Sequence, residues 1–350
     1  MIGTLLAFTT AMVASLALVM PIRQLALRVG MVDRPGPRKI HLQPIPLLGG
    51  LAIYSGVLLG MVVSFGSQAF TQILGILAGA TLVILVGTLD DRGLLHHQIK
   101  LFVGMPLAGL ILLASGIHAQ IFATFLPGRI GTLADAAFTV FWVTGVTASF
   151  SIFDYMDGLC AGVAAIAALF FAVLATASGQ VLVSTLAAAV MGAALGFLCW
   201  NFNPAKIFMG DGGAMFLGFL MATLSLKLRM NGTPHIVDWI VPVLVLGVAI
   251  FDMAMVSISR SRRGLLPFAT PGKDHTAHRL ANLGLGTRLA VIAMYGLGLG
   301  FGFLALLVSH LGSAPAVWAA AATVCAGLLA VAALEKAPYE RQKPKPNAAT

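Results

Sequence analysis

The chain has 350 residues, 59% of them hydrophobic and 9% charged, with a formal net charge of +9 and a mean hydropathy of +0.97. A soluble domain needs a hydrated, charged surface that this composition does not supply, so the chain reads as an integral membrane protein surrounded by membrane lipid, with no nucleic-acid partner. Three scattered cysteines, Cys160, Cys199 and Cys325, form neither a metal-ligand spacing nor a disulfide framework.

Apolar runs of about 17 to 25 residues cross a bilayer as helices. Eleven runs close to that length follow one another, at residues 2–20, 48–66, 72–89, 101–116, 136–153, 158–178, 181–200, 212–227, 236–258, 288–308 and 315–334. They predict an all-α polytopic bundle of eleven transmembrane helices, with one membrane domain over 1–337 and a disordered cytoplasmic tail over 338–350. The first run has no basic residue before it and is followed by Pro21 and Arg23, so it is expected to be a retained span. With eleven spans, alternate loops face opposite sides of the membrane. All but three of the 21 Lys and Arg residues fall on one side, the exceptions being Arg129, Lys227 and Arg229. The positive-inside rule then puts the amino terminus outside and the carboxyl terminus in the cytoplasm.

The acidic residues carry more chemical information. Asp90, Asp91, Asp154, Asp157, Asp211 and Asp274 all fall at span ends on the basic side, and carboxylates at membrane depth are costly enough to be functional more often than decorative. In chain order, Arg38, Lys39 and His41 come first, ahead of Gly49-Gly50. Basic groups suit a phosphate or nucleotide and glycines allow close backbone approach, although a plain juxtamembrane basic loop accounts for the same residues. Asp90-Asp91-Arg92 closes the third span, with Lys100 at the mouth of the fourth. A helix C-terminus disfavours paired carboxylates, so a magnesium ion, a basic side chain or a retained proton has to offset them.

Asp154 and Asp157, three residues apart, share one side of a helical turn; a helix cap would explain only the second. Asp211 stands among Gly210, Gly212 and Gly213, where a metal and its bound phosphates can reach it. In the segment 272–280, His275, His278 and Arg279 share a helical face and present donors to anionic oxygens. Zinc is not expected, because the cysteines are distant and the two histidines lack further ligands.

In order and spacing these motifs resemble the polyprenyl-phosphate N-acetylhexosamine-1-phosphate transferase superfamily, in its glycosyltransferase family 4 branch. The resemblance rests on Pro46 to Gly50, Asp90-Asp91 with Lys100, Asp157-Gly158-Leu159, Phe208 to Asp211, Phe251-Asp252 and His275 to Leu280. It implies a bacterial plasma-membrane enzyme, dependent on Mg2+ with Mn2+ as an alternative. Such an enzyme passes a sugar-1-phosphate from a UDP-sugar to polyprenyl phosphate, usually undecaprenyl phosphate, releases UMP, and starts a cell-envelope glycan such as an O-antigen or an exopolysaccharide. By the same resemblance Asp90 and Asp91 are the catalytic pair and Asp211 is the metal ligand. Asp154, Asp157, Lys39 and His41 would serve the nucleotide sugar, His275, His278 and Arg279 the diphosphate or sugar, and Lys100 and Arg92 the lipid phosphate. A homodimer is compatible with it.

The chain departs from the family pattern at several neutral positions. Ala148, Ser151 and Tyr155 stand where two asparagines and a glycine are usual, Ala214 replaces a serine, and Thr276-Ala277 stands where adjacent histidines are common. Two other readings remain: an inactive homologue that binds polyprenyl phosphate, and a multi-span transporter. Acids gathered at span ends on one side suit an interfacial enzyme better than a transporter with sites near mid-membrane, and the retained Asp90, Asp91 and Asp211 weigh against inactivity.

Overall fold

A chain segment in lipid has to satisfy its own backbone hydrogen bonds, and among the described residues each apolar run forms helix. The computed structural model describes residues 2–33, 44–64, 70–126, 128–230, 235–266 and 272–339. Its helices are α1 (Ile2–Arg28), α2 (Gly49–Ser64), α3 (Phe70–Asp91), α4 (His97–Ile99), α5 (Met105–Ala114), α6 (Arg129–Phe153), α7 (Leu159–Ala177), α8 (Val181–Asn201), α9 (Gly210–Lys227), α10 (His235–Val245), α11 (Gly247–Arg262), α12 (Thr276–Leu280), α13 (Gly286–Val308) and α14 (Ser313–Leu334). Wider π-helical turns, Lys100–Gly104 and Ala281–Leu285, lead into α5 and α13.

The architecture is the expected all-α polytopic membrane bundle. Among the described residues, seven stretches are long and apolar enough to cross a bilayer: α1, α3, α6, α7, α8, α12 with α13, and α14; α10 and α11, bent by 72° to one another, pass the same test only as a pair, as a broken span or a re-entrant loop. A count of eleven is reached only by adding α2, the run Lys100–Ala114, and α9, which are shorter or, in α9, carry Asp211 and Lys227 within 18 residues. The first helix was expected to stop before Pro21, yet α1 runs through that proline to Arg28. Packing overrides the local signal here: Ala7, Ala11, Ser15 and Val19, each four residues from the next, are all buried, and α1 lies along α8 and α2.

Small residues set these helix distances, as they do where lipid removes the hydrophobic contrast between helix and surroundings. A Cβ on Gly192 or Gly196 of α8 would run into the α1 backbone at Phe8 and Met12, and one on Gly60 of α2 would run into the Ala7 carbonyl. The interior of the bundle is α7, α8 and α9, with α3 and α6 packed on α9. By contrast, only Ala316 and Val331 of α14 are buried. Two short antiparallel strands, β1 (Val32–Asp33) and β2 (Ile45–Pro46), pair Val32 with Pro46. The expected tail is described only at Pro338, whose carbonyl accepts from Asn282, and Tyr339, whose ring lies 3.7 Å beneath the Arg279 guanidinium.

Candidate active site

The site begins with glycines that let three helix ends meet. A side chain on Gly50 of α2 would collide with Gly213 of α9, and one on Gly87 of α3 with Gly212. The strand leading into α2 is tied to the segment before α9: Phe208 N–H donates to the Pro46 carbonyl, Gly49 N–H to that of Phe208 and Gly50 N–H to that of Met209, each at 2.9 Å. The first turn of α9 has no cap from its own sequence. Asp91 supplies one from α3, accepting from Asp211 N at 2.8 Å and Gly212 N at 3.2 Å. A carboxylate at a helix N-terminus satisfies orphan amides and opposes the dipole favourably.

This cap fixes where the Asp211 side chain stands. Its Oδ1 accepts from Ser151 Oγ of α6 at 2.7 Å, and its Oδ2 accepts from Lys100 Nζ at 2.7 Å. Lys100 also donates to Asp90 Oδ2 at 2.6 Å, so one ammonium bridges two carboxylates from different helices. Asp154, in the turn after α6, makes no hydrogen bond to a described residue. Burial, then the neighbouring charges of Asp211, Asp91 and Asp157, push its carboxyl up to about 8. Four acidic side chains therefore gather beside one lysine, which bridges only Asp90 and Asp211. That imbalance is a site prepared for cations, or for anions that arrive with them.

The turn 154–158 carries a second aspartate with a different task. Asp157 Oδ2 accepts from Asn203 Nδ2 and from Ala205 N, both at 3.0 Å, and so holds the loop between α8 and α9. Gly158 has a positive φ of 78°; its N–H donates to Asn201 Oδ1 at 3.0 Å and its carbonyl accepts from Tyr295 Oη at 2.6 Å. Tyr155, in the same turn, points toward the segment around α12.

There Asp252 of α11 accepts from His275 Nδ1 at 2.8 Å through Oδ2 and from Thr276 N at 2.8 Å through Oδ1. Asp274 accepts from Arg260 Nε at 3.1 Å and Arg260 Nη2 at 2.8 Å, and from Arg263. Its burial acts to raise the pKa, but the two guanidinium groups overcome that and hold it at about 2. Arg279 is wholly enclosed: it donates to the Asp274 carbonyl, the Leu334 carbonyl and Ser259 Oγ, each at 2.8 Å, and pairs with Glu335 at 2.9 Å.

The structure thus brings together Asp90, Asp91, Asp154, Asp211 and Lys100, with His275 and His278 across Tyr155. It does not bring three of the expected residues into the cluster. Arg92 donates to Met31 Sδ at 3.3 Å, at the end of α1; Asp157 is turned into the 203–205 loop; Arg279 is consumed in tying α12 to α11 and α14. For Asp157 and Arg279 the reason is nearer partners that occupy their polar atoms. Lys39 and His41 lie outside the described residues. Sequence reasoning assigned no role to Ser151, Arg260 or Tyr155. Only Asp252, an acid within an apolar run, carried a visible signal.

Fold and cluster define a class: a polytopic membrane protein with an acidic, lysine-bridged site where helix ends meet. Residues 73–229 match the model of glycosyl transferase family 4. The chain is 35% identical over 311 residues to a protein of Bacillus subtilis strain 168 named as a probable undecaprenyl-phosphate N-acetylglucosaminyl 1-phosphate transferase, a match covering 88% of this chain and 86% of the relative. It is 30% identical over 305 residues to the decaprenyl-phosphate N-acetylglucosaminephosphotransferase of Mycolicibacterium smegmatis, covering 78% and 74%. It is 28% identical over 289 residues to the undecaprenyl-phosphate alpha-N-acetylglucosaminyl 1-phosphate transferase of Yersinia pestis, covering 79% and 77%. The chain belongs to glycosyl transferase family 4, among its glycosyl-1-phosphate transferases.

Proposed function

We propose that this protein transfers an N-acetylhexosamine-1-phosphate from a UDP-sugar to undecaprenyl phosphate on the cytoplasmic face of a bacterial plasma membrane, releasing UMP. The observation that carries this reading is the cluster of Asp90, Asp91, Asp154 and Asp211, two of them bridged by Lys100, in a chain whose relatives are named as polyprenyl-phosphate sugar-phosphate transferases. The cytoplasmic assignment rests on the basic residues, which gather on the side of the membrane where the acids stand.

Both reactants are anions, so charge is the main obstacle. The phosphate monoester of the lipid has a second pKa of about 6 and is largely dianionic at neutral pH. Its oxygen attacks the phosphorus that bears the sugar. A new P–O bond forms there, and the bond from that phosphorus to the bridging oxygen breaks, that oxygen leaving as part of UMP. Lys100 is the cation closest to the acids and serves the incoming phosphate oxygens, while Asp90 orients the attacking phosphate or takes a residual proton from it. The unengaged ring nitrogens of His278 serve the diphosphate.

Oxygen donors alone, from Asp211, Asp90, Asp154 and Ser151, suit a hard divalent ion such as Mg2+. No group of three or more His, Cys, Asp or Glu among the described residues forms a ready metal cage. When bound, Mg2+ would offset the charge of the diphosphate. The test is UMP release by the purified protein in detergent from a panel of UDP-sugars, with undecaprenyl phosphate, with and without Mg2+. Lipid- and Mg2+-dependent UMP from one donor is expected; no UMP from any donor by well-folded protein would overturn the reading.

A further inference from the structure

The two histidines at the end of the site are in different chemical situations. His275 uses both ring nitrogens within the protein, Nδ1 on Asp252 at 2.8 Å and Nε2 against Arg260 Nη2 at 3.4 Å. His278 bonds no described residue through either nitrogen, and at 9% exposure its ring is held in place by packing. It sits on α12, a helix of only five residues. So short a helix does not stand by itself, and the N–H groups of its first turn need outside acceptors.

Those acceptors come from two other elements. The N-cap residue, His275, provides no side-chain cap. Thr276 N–H is taken by Asp252 Oδ1 at 2.8 Å, and Ala277 N–H by the Tyr155 hydroxyl at 3.2 Å. The same hydroxyl donates to Asp252 Oδ1 at 3.3 Å, which leaves its oxygen oriented to accept from Ala277. The Tyr155 ring then lies 4.1 Å from the His275 ring, nearly parallel at 28°, and 4.9 Å from the His278 ring. Tyr155 directly follows Asp154, the unbonded acid of the cluster. One side chain therefore connects the acidic cluster to the helix that presents the unengaged histidine.

We propose that Tyr155 is a positioning residue for the transfer reaction: by capping α12 and stacking on its histidines, it fixes His278 at a set distance from the carboxylate cluster. This deepens the proposed function and rests on it. Loss of the hydroxyl alone leaves the ring stack but frees Ala277 N–H and removes one donor from Asp252, so α12 shifts or frays and His278 with it.

The test is a double-mutant cycle on the full-length protein in detergent, with Tyr155→Phe, His278→Gln and the pair, read as kcat and donor KM from UMP release. It is joined by hydrogen exchange on the segment 273–280. Tyr155→Phe is expected to lower kcat about tenfold, with donor KM changed less than about threefold and the melting temperature kept, in line with loss of a hydrogen bond felt in the transition state. In the His278→Gln background the same substitution should cost almost nothing, because groups acting as a unit are not additive. Exchange at α12 should quicken about tenfold in Tyr155→Phe. Equal losses in both backgrounds, or unchanged exchange at α12, would overturn the proposal. Absence of turnover in the unmodified protein would sink the functional reading, while the exchange comparison would still decide whether Tyr155 holds α12.

Discussion

Two charged regions meet at the turn 154–158, and they treat charge differently. Around α12 the carboxylates have partners: Asp274 pairs with Arg260 and Arg263, Glu335 with Arg279, and Asp252 is hydrogen-bonded to His275. At the ends of α3 and α9, by contrast, Asp90 and Asp211 share the single ammonium of Lys100, Asp91 is spent on the α9 amides, and Asp154 has no hydrogen-bond partner among the described residues. Paired buried charge holds structure together, and removing one partner is strongly destabilising. Unbalanced charge at membrane depth is instead a stored demand for a ligand. The contrast separates chemistry from scaffold even where the two regions use the same residue types.

The contrast can be broken most forcefully at Asp211. Asp211→Asn removes a negative charge that Lys100 and Ser151 orient, and it is expected to lower transfer more than about 100-fold while the protein keeps its melting temperature and elution profile. Wild-type turnover in that variant would remove Asp211 from the proposed metal site. Within one turn, Asp154 and Asp157 should part company. Asp154→Asn is expected to cost about 100-fold in kcat with little change in thermal stability, whereas Asp157→Leu, which strands Asn203 and Ala205 N, should lower stability by about 1 to 3 kcal/mol. Similar thermal shifts for the two would erase the distinction between cluster and scaffold.

On the paired side, Arg279→Met cuts the links from α12 to α11 and α14. A loss of about 3 kcal/mol or more is expected in a thermal-melt series, and a variant as stable as the parent would show that these links are not structural. A smaller effect than that of Arg279→Met is that of acid. Asp274 is held at about 2, below its ordinary 3.8. The carboxyl is depressed in the folded state, so its clasp with two arginines contributes fully above about pH 4 and is lost as pH falls through 2, an effect of about 2 kcal/mol. Melting temperatures measured from pH 5 downward should fall less for Asp274→Asn than for the parent, and parallel curves would deny the clasp that role.

Much of this was legible in the linear chain. Runs of apolar residues dictate helices because lipid offers the backbone no partners, and acids at span ends announce a site because their burial is costly. Asp90, Asp91, Asp154 and Asp211 could all be picked out on that ground. Where each helix stops was less legible: α1 passes through Pro21, since close packing on α8 and α2 outweighs the lost hydrogen bond, and α10 and α11 divide one apolar run into two directions.

The roles within the site belong to the tertiary structure alone. Asp91 follows Asp90 in sequence, yet Asp91 caps α9 while Asp90 faces Lys100. Asp157 lies three residues from Asp154 and binds a loop rather than the cluster. Arg279 is next to His278, but it is enclosed among Ser259, Leu334 and Glu335. The sequence by itself determined a membrane-embedded helical bundle and the acid types available for its chemistry, because hydrophobicity and charge are properties of residues. Which acid is paired and which is left unbalanced was decided only in three dimensions, because hydrogen bonds and ion pairs depend on partners brought within about 3 Å by helices distant in the chain.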